Sequence, residues 1–429
     1  MEITVIGLGY VGGVAAAALA SAGHHVTGLD VDSEKVHYFE SCRVPFYEPG
    51  LEGYVRAGLE SGCLDFRHVD EVKYLRGTVL VAVGTPSLPN GAADLSQVKS
   101  ALEWIVSKAA EPVVIVMKST VPPGTGRKFT QMYISGREIE HVYVSNPEFL
   151  REGQALKDWF QPDRIVVGAD DPRGTEILKQ MYHGIEAPMV ITDVTSAELI
   201  KYAANAFLAT KISFINEIAN LCESLGADIV DVAQGIGLDP RIGPDFLKAG
   251  VGYGGSCFPK DVRALDFLST VNGHSFELLR AVININNQQR ILPVRKLRAV
   301  LGNLAGKKIA VLGLAFKPGT DDIREAPALD IIRLLLDEGA EVSVYDPMAI
   351  NKAKKVLPSG VEFCYSAFDA LNDKQGAIIV TEWKEFVEFD WALAKHRMKK
   401  PYLVIDGRNC LSPAVLRKLG FEYLGVGRV

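Results

Sequence analysis

A glycine-rich turn, Gly7-Leu-Gly9-Tyr-Val-Gly12, limits what this chain can fold into more than any other feature, because of what flanks it. Before it lies a short β-branched run, Ile3–Ile6. After it comes an alanine-rich helical stretch, Val11–Ala22. A second apolar run, His25–Leu29, is closed by Asp30. Strand, GxGxxG, helix, strand and acid form the order of a dinucleotide-binding unit. Gly7 permits the turn, Gly9 lets a pyrophosphate approach the backbone, and Gly12 lets helix and strand pack closely. The glycines alone are a weak signal, and the register with the strand, the helix and the acid makes it specific. Asp30 would accept hydrogen bonds from ribose hydroxyls and repel a 2′-phosphate, so NAD is expected rather than NADP. Lys35, Thr85 and Thr120 follow later strands, at the carboxyl ends where open α/β sheets bind ligands. Turn capping explains either threonine equally well.

The alternation continues with Val79–Val83, Val113–Met117, Tyr143–Ser145 and Ile165–Val167 as further strands, which predicts a parallel, doubly wound α/β domain. From Thr195 the texture becomes helical. Thr195-Ser-Ala-Glu198 reads as a capping box, and helical periodicity runs to Gly226. Further helices are expected near 228–236, 259–272 and 276–300. Strands return at Lys308–Leu312, Glu341–Tyr345, Gly376–Val380 and Tyr402–Ile405, with a helix at Ala328–Glu338. The expected organisation is α/β, with two Rossmann-like doubly wound domains, 1–194 and 301–429, joined by a central helical domain, 195–300, that opens with a long connecting helix. The second α/β domain has Gly313-Leu-Ala-Phe316 where a dinucleotide fingerprint would put its second glycine, and it reads as a nucleotide-binding shape without that fingerprint. The two α/β ends are distantly alike.

Composition excludes several functions. At 429 residues the chain exceeds one ordinary core. It is 48% hydrophobic and 23% charged, with a net charge of -6 and no basic stripe, so nucleic acid is not an expected partner. Its six cysteines (42, 63, 222, 257, 364, 410) form no CxxC pair, which argues against zinc and against a disulfide framework; no metal is expected. The first residues run directly into a strand, and no apolar stretch has membrane-spanning length. A protein of the reducing cytoplasm with no membrane partner is expected.

The strongest chemical signal is Gly250-Val-Gly-Tyr-Gly-Gly-Ser-Cys257-Phe-Pro-Lys-Asp261. Four glycines in six residues read as a backbone that must bend and approach something closely, not as packing. Pro259 suits a helix start. A thiol at a helix N-terminus with Lys260 nearby is a candidate nucleophile, whereas most cysteines of cytosolic proteins are buried and inert. Two more pairs merit attention. Glu148 and Glu152, in Asn146-Pro-Glu-Phe-Leu-Arg-Glu, share a face if that segment is helical. Such a pair offers a general base and a cofactor contact, or simply acids at a solvated helix start. Lys201 and Asn205 share a face of the long helix and could serve an oxyanion. On spacing alone, a lysine snorkelling to solvent is the simpler reading.

Taken together, GLGYVG (7–12), VPFYEPGL (44–51), VGTP (83–86), KSTVPPGT (118–125), NPEFLREG (146–153), ELIKYAANAF (198–207), GVGYGGSCFPKD (250–261), GLAFKPGTDDIREAP (313–327) and DGRN (406–409) resemble the UDP-glucose/GDP-mannose dehydrogenase family over nearly the whole chain. The resemblance implies NAD-dependent oxidation of a nucleotide sugar's primary alcohol to a carboxylate, in two steps, by a homodimer. It implies Cys257 as nucleophile and Lys201 and Asn205 as oxyanion donors. Asp261, Thr120 and Glu148 would position and activate water. Gly7, Gly9, Gly12, Asp30, Lys35, Thr85, Thr120, Glu152, Lys260 and Arg324 would hold NAD. Glu148, Phe149, Leu150, Lys201, Asn205, Phe246, Tyr253, Gly254, Phe316, Lys317 and Arg408 would line the sugar-nucleotide site. Arg241 resembles an arginine that reaches into the partner's site. Thr381-Glu-Trp-Lys-Glu-Phe386 and the ending Gly420–Arg428 look like the branch acting on UDP-glucose. The alternatives are branches acting on GDP-mannose or UDP-N-acetylmannosamine, a two-electron dehydrogenase of β-hydroxyacid type, and a non-catalytic NAD sensor. Gly13, and Ser41 with Cys42, depart from the usual pattern without touching an assigned role.

Overall fold

The computed structural model describes residues 1–428. The chain divides into two compact units, Met1–Ala204 and Asn205–Val429.

The first unit is built on an eight-stranded sheet. Its strands are β1 (Glu2–Ile6), β2 (His25–Asp30), β3 (Leu64–His68), β4 (Thr78–Val81), β5 (Val114–Met117), β6 (Val142–Ser145), β7 (Ile165–Ala169) and β8 (Met189–Thr192). Their order is β3-β2-β1-β4-β5-β6-β7-β8. β1 pairs with both β2 and β4, so chain direction across the sheet reverses there and a crevice opens at the carboxyl ends of these strands. The central strands are apolar on both faces, as a sheet covered by helices on each side requires. One expectation fails: β6 and β7 pair antiparallel, so the sheet is mixed. The segment between them is mostly loop, with a single short helix (Ala155–Phe160), and it brings the chain back beside β6 running the other way. The first helix, Tyr10–Ser21, is buried almost all round, which explains why Ala and Gly replace the usual amphipathic stripe.

The long helix spans Val194–Leu225, 32 residues, or about 48 Å. Its start departs from the capping box. Asp193 is the cap: its carboxylate accepts from the Ser196 amide at 3.1 Å, and the Ser196 hydroxyl donates to it. Thr195 lies inside the helix, and Glu198 turns away to bind a neighbouring loop, accepting from the Gly124 and Gly126 amides at 2.7 Å each. A cap was available two residues earlier, at Asp193, which freed Glu198 for a tertiary contact.

The second unit joins the rest of the long helix, three further helices (Ile229–Gly237, Phe258–Val271, Glu277–Leu301) and a six-stranded sheet. Its strands are β9 (Lys308–Leu312), β10 (Glu341–Tyr345), β11 (Val361–Phe363), β12 (Gly376–Ile379), β13 (Leu403–Asp406) and β14 (Glu422–Leu424), all parallel, in the order β11-β10-β9-β12-β13-β14. The tail unites helices and sheet: Gly427 donates to Glu223 of the long helix at 2.7 Å and accepts from the Ile229 amide at 2.8 Å. The likeness of the two α/β ends is visible in detail. Gly7 and Gly313 both turn the chain after the first strand with φ of 95°. Asp30 accepts from the Leu8 amide, and Asp346 from the amides of Leu314 and Ala315.

Candidate active site

In the first unit the glycine turn has the shape its sequence predicts. A side chain at Gly12 would meet the Gly7 carbonyl at 1.8 Å, so the helix can sit against the turn only with glycine there. A side chain at Gly9 would meet nothing within 4 Å. Gly9 thus presents bare backbone to open space at the N-terminus of the first helix, a fit for a pyrophosphate. Asp30, nearly buried, ends β2 and binds the Leu8 amide at 2.7 Å and the Asp32 amide at 2.9 Å, with the Lys35 ammonium 3.6 Å away. The acid therefore braces the glycine turn from the carboxyl end of β2. These residues fit NAD. Thr85 donates to the Thr120 carbonyl at 2.9 Å, so it holds the Thr120 turn in place.

The Asn146–Gly153 segment is not helical. Glu148 and Glu152 therefore do not share a helix face, and a solvated helix start is equally excluded. Pro147 disfavours helix at Asn146, and the segment follows the carboxyl end of β6 as a turn. Glu148 is buried and forms an ion pair with Lys201 at 2.9 Å. Its other oxygen accepts from the Leu150 amide at 2.6 Å. Burial alone would raise its carboxyl. Lys201 beside it, the Leu150 amide and Lys118 outweigh burial and hold it below the ordinary value. Lys201 is 3% exposed, so it does not snorkel; its ammonium also lies 5.2 Å from the Phe149 ring centre. Glu152 lies half-buried in the same turn, and Leu150 packs against the core beneath it.

In the second unit Cys257 caps the helix Phe258–Val271, with Pro259 in its first turn. The glycines before it do serve packing, contrary to the sequence reading. A side chain at Gly250 would lie 2.7 Å from the Gly407 carbonyl, at Gly252 2.4 Å from Asn286, at Gly254 2.3 Å from the Glu325 carbonyl, and at Gly255 2.8 Å from the Phe316 ring. The close approach is to the protein's own loops. Gly252 and Gly255 also have φ of 86° and 84°, which favours glycine independently. One helical turn after Cys257, Asp261 is 1% exposed and accepts from Asn205 at 2.6 Å and from Lys260 at 2.5 Å. Asn205 stands one turn after Lys201 on the long helix.

The other residues lie in this unit's loops. Tyr253 is buried and meets the Phe258 ring edge-on, and Phe246, at φ of 63°, meets that ring at a tilt, 6.1 Å between centroids. Phe316 and Lys317 follow β9, the ammonium lying 5.5 Å from the Phe316 ring centre. Arg324 grips Asp322 through two nitrogens. Arg408, after β13, donates to the carbonyls of Val380, Gly252 and Phe316, so it acts as a brace between three loops. Arg241 is 87% exposed and paired bidentately with Asp239.

Sequence reasoning missed the residues that hold the thiol loop. Asn286 of the helix Glu277–Leu301 accepts from the Tyr253 amide at 2.8 Å and donates to its carbonyl. Arg290, one turn on, donates to the carbonyls of Tyr253 and Glu325 at 3.0 Å each and pairs with Asp330 at 2.8 Å. Asn216 of the long helix takes the Gly250 amide at 2.8 Å. An amide and a guanidinium one turn apart in a buried helix were the available signal.

Comparison with known proteins agrees with this architecture. Family models described as the NAD binding domain, the central domain and the UDP binding domain of the UDP-glucose/GDP-mannose dehydrogenase family match residues 1–186, 195–288 and 310–413. The chain is 45% identical to the UDP-glucose 6-dehydrogenase YwqF of Bacillus subtilis, covering 100% of this chain and 98% of that protein. It is 42% identical to the UDP-glucose 6-dehydrogenase of Rickettsia conorii, covering 100% and 99%. Among solved structures, a UDP-glucose dehydrogenase from Pyrobaculum islandicum superposes with a TM-score of 0.92 at 39% identity, over 100% of this chain and 98% of that one. A UDP-D-ManNAc dehydrogenase from Pyrococcus horikoshii gives 0.89 at 26% identity, over 100% and 99%. With its domains matched in order along the whole length, the chain belongs to the UDP-glucose/GDP-mannose dehydrogenase family.

Proposed function

We propose that this protein oxidises UDP-glucose to UDP-glucuronate with two NAD. The observation that carries the reading is full-length identity of 42–45% to UDP-glucose 6-dehydrogenases, against 26% to the UDP-D-ManNAc enzyme. NAD, when bound, supplies the hydride acceptor for each step. Gly7, Gly9, Gly12, Asp30, Lys35, Thr85 and Glu152 would hold it, with Lys260 and Arg324. Phe149, Leu150, Phe246, Tyr253, Gly254, Phe316, Lys317 and Arg408 would hold the sugar nucleotide.

In the first step C6 loses a hydride and its hydroxyl loses a proton, leaving an aldehyde. The Cys257 sulfur adds to the carbonyl carbon, and the oxygen takes up a proton, giving a thiohemiacetal that prevents escape. Loss of a second hydride and a proton gives a thioester. Water adds to it, the C–S bond breaks, and the thiol is restored as the carboxylate leaves. Asp261 and Glu148, with Thr120, would position that water and take its proton. Lys201 and Asn205 would steady each oxyanion.

A homodimer of the reducing cytoplasm completes the proposal. Phe207, Phe214 and Leu221, seven residues apart on the long helix, are exposed, as is Leu225. None of the six cysteines forms a disulfide. Among the described residues no helix is long and apolar enough to cross a membrane. The test is a panel of UDP-glucose, UDP-N-acetylmannosamine and GDP-mannose with NAD. Two NADH and one carboxylate per UDP-glucose are expected. One NADH would indicate the two-electron chemistry, and turnover of another sugar alone would move the protein to a sister branch.

A further inference from the structure

Lys118 follows β5 and is 4% exposed, yet both its hydrogen bonds go to neutral groups. Its ammonium donates to Asn146 Oδ1 at 2.9 Å and to the Tyr182 hydroxyl at 2.7 Å. The Tyr182 hydroxyl in turn donates to the same Asn146 oxygen at 2.7 Å, and Asn146 Nδ2 donates to the Val166 carbonyl at 2.7 Å. The rings of Trp159 and Tyr182 stand 5.2 Å and 5.4 Å from the ammonium. A buried lysine without a carboxylate of its own is a costly arrangement. Two residues beyond Asn146 stands Glu148, whose carboxylate belongs to Lys201.

We propose that Lys118 is a positioning residue for Glu148: through Asn146 and Tyr182 it fixes the Asn146–Glu148 turn, and by gaining or losing its proton it changes the field at the Glu148 carboxylate. The proposal rests on the reading of Glu148 as a base. Burial pushes Lys118 down to about 7; Glu148 opposes this and Lys201 reinforces it. Lys118, Asn146, Glu148 and Tyr182 line one pocket, whose other charged groups are the Arg151–Asp158 pair, Asp163 and Arg164, the last with its guanidinium over the Phe149 ring at 3.6 Å. Tyr182 is itself raised by burial and stays protonated. Below neutrality a charged Lys118 adds a second cation beside Glu148 and weakens it as a base. Above neutrality Lys118 is neutral, while Lys201 still keeps Glu148 ionised, so the base is ready and stronger.

Two variants fix Lys118 in opposite states: Lys118→Met is always neutral and Lys118→Arg always charged. The profile of kcat is measured from about pH 6 to about pH 9. Wild type should rise through an inflection near 7. Lys118→Met should lose that inflection and, having lost both hydrogen bonds that fix the turn, run at a pH-independent kcat below the wild-type high-pH level, while Lys118→Arg should stay several-fold low without the inflection. KM for UDP-glucose should move less than about threefold in each, because the residue does not touch substrate. An inflection that survives in Lys118→Met, or KM rising as kcat falls in both variants, overturns the proposal. Should either variant fail to fold, NMR of ¹³C-ε-labelled lysines in wild type decides: one lysine with a midpoint near 7 is expected, and its absence overturns the proposal. That titration needs no turnover, so it judges Lys118 even if UDP-glucose proves not to be the substrate.

Discussion

At the scale of single residues, two side chains are proposed to carry most of the chemistry. Cys257 stands at the N-terminus of the helix Phe258–Val271. Cys257→Ser should keep the fold and NAD affinity and lower uronate formation by roughly 10³-fold or more, measured as kcat and as NADH formed. A wild-type rate would mean that no thioester forms. Asp30 has a double duty, since the carboxylate that would meet the ribose also holds the Leu8 amide. Preference for NAD over NADP should be roughly ten- to a hundredfold in kcat/KM, the worth of a charged hydrogen bond exchanged for repulsion. Equal use of both cofactors would remove Asp30 from the ribose site. Gly13 shows how small departures are absorbed: a side chain there would meet the Phe39 ring at 2.7 Å, so the aromatic has taken its space.

At the scale of elements, side chains from helices set the loops. Glu198 of the long helix clamps the loop carrying Thr120, through the Gly124 and Gly126 amides. Burial raises its carboxyl to about 7 despite those amides. A carboxyl raised in the folded state contributes stability that is fully present below its unfolded value. That stability is lost as pH rises through the folded value. Relative to Glu198→Leu, wild-type stability should therefore fall by about 3 kcal/mol between about pH 4.5 and about pH 7.5, read from denaturant melts. A difference that stays flat with pH would show that Glu198 remains ionised throughout. Asn286 and Arg290 act in the same way on the thiol loop. Arg290→Met should lower kcat more than about tenfold with KM for NAD nearly unchanged, because three acceptors, none of them in the dinucleotide turn, lose a buried donor. An unaltered kcat would show that the loop holds its shape without that clamp.

At the scale of the whole molecule, a substrate with two phosphates must find cations that a net charge of -6 does not provide in bulk. Arg241, exposed and, among the described residues, tethered only to its neighbour Asp239, is the proposed cation supplied to a partner chain. Arg241→Ala should raise KM for the sugar nucleotide roughly ten- to a hundredfold and leave KM for NAD nearly unchanged. Mixed dimers of Arg241→Ala with Cys257→Ala test the arrangement in trans. One of their two sites would carry both lesions and the other neither, so activity should partly return. No recovery in verified mixed dimers would remove Arg241 from the partner's site.

The sequence by itself determined the chemistry-bearing positions and the alternation of strands and helices, because glycine turns, helix starts and apolar periods are local in the chain. Lys308–Leu312 and Glu341–Tyr345 were legible to the residue. The short strands Leu64–His68, Met189–Thr192, Val361–Phe363 and Glu422–Leu424 were not, being brief or half-exposed edge strands. Tertiary structure alone decided who partners whom. Spacing left Lys201 as a solvated lysine, and only folding places a buried carboxylate 2.9 Å from it. Spacing read the glycines before Cys257 as room for a ligand, and folding fills that room with Asn286, Glu325 and Phe316. Lys118, Asn146 and Tyr182 lie far apart in the chain, and their hydrogen bonds exist only because β5, β6 and the turn after the helix Pro172–Met181 meet. Local pattern selects the residue type, but the field and the hydrogen-bond partners that give each side chain its role come from segments distant in sequence.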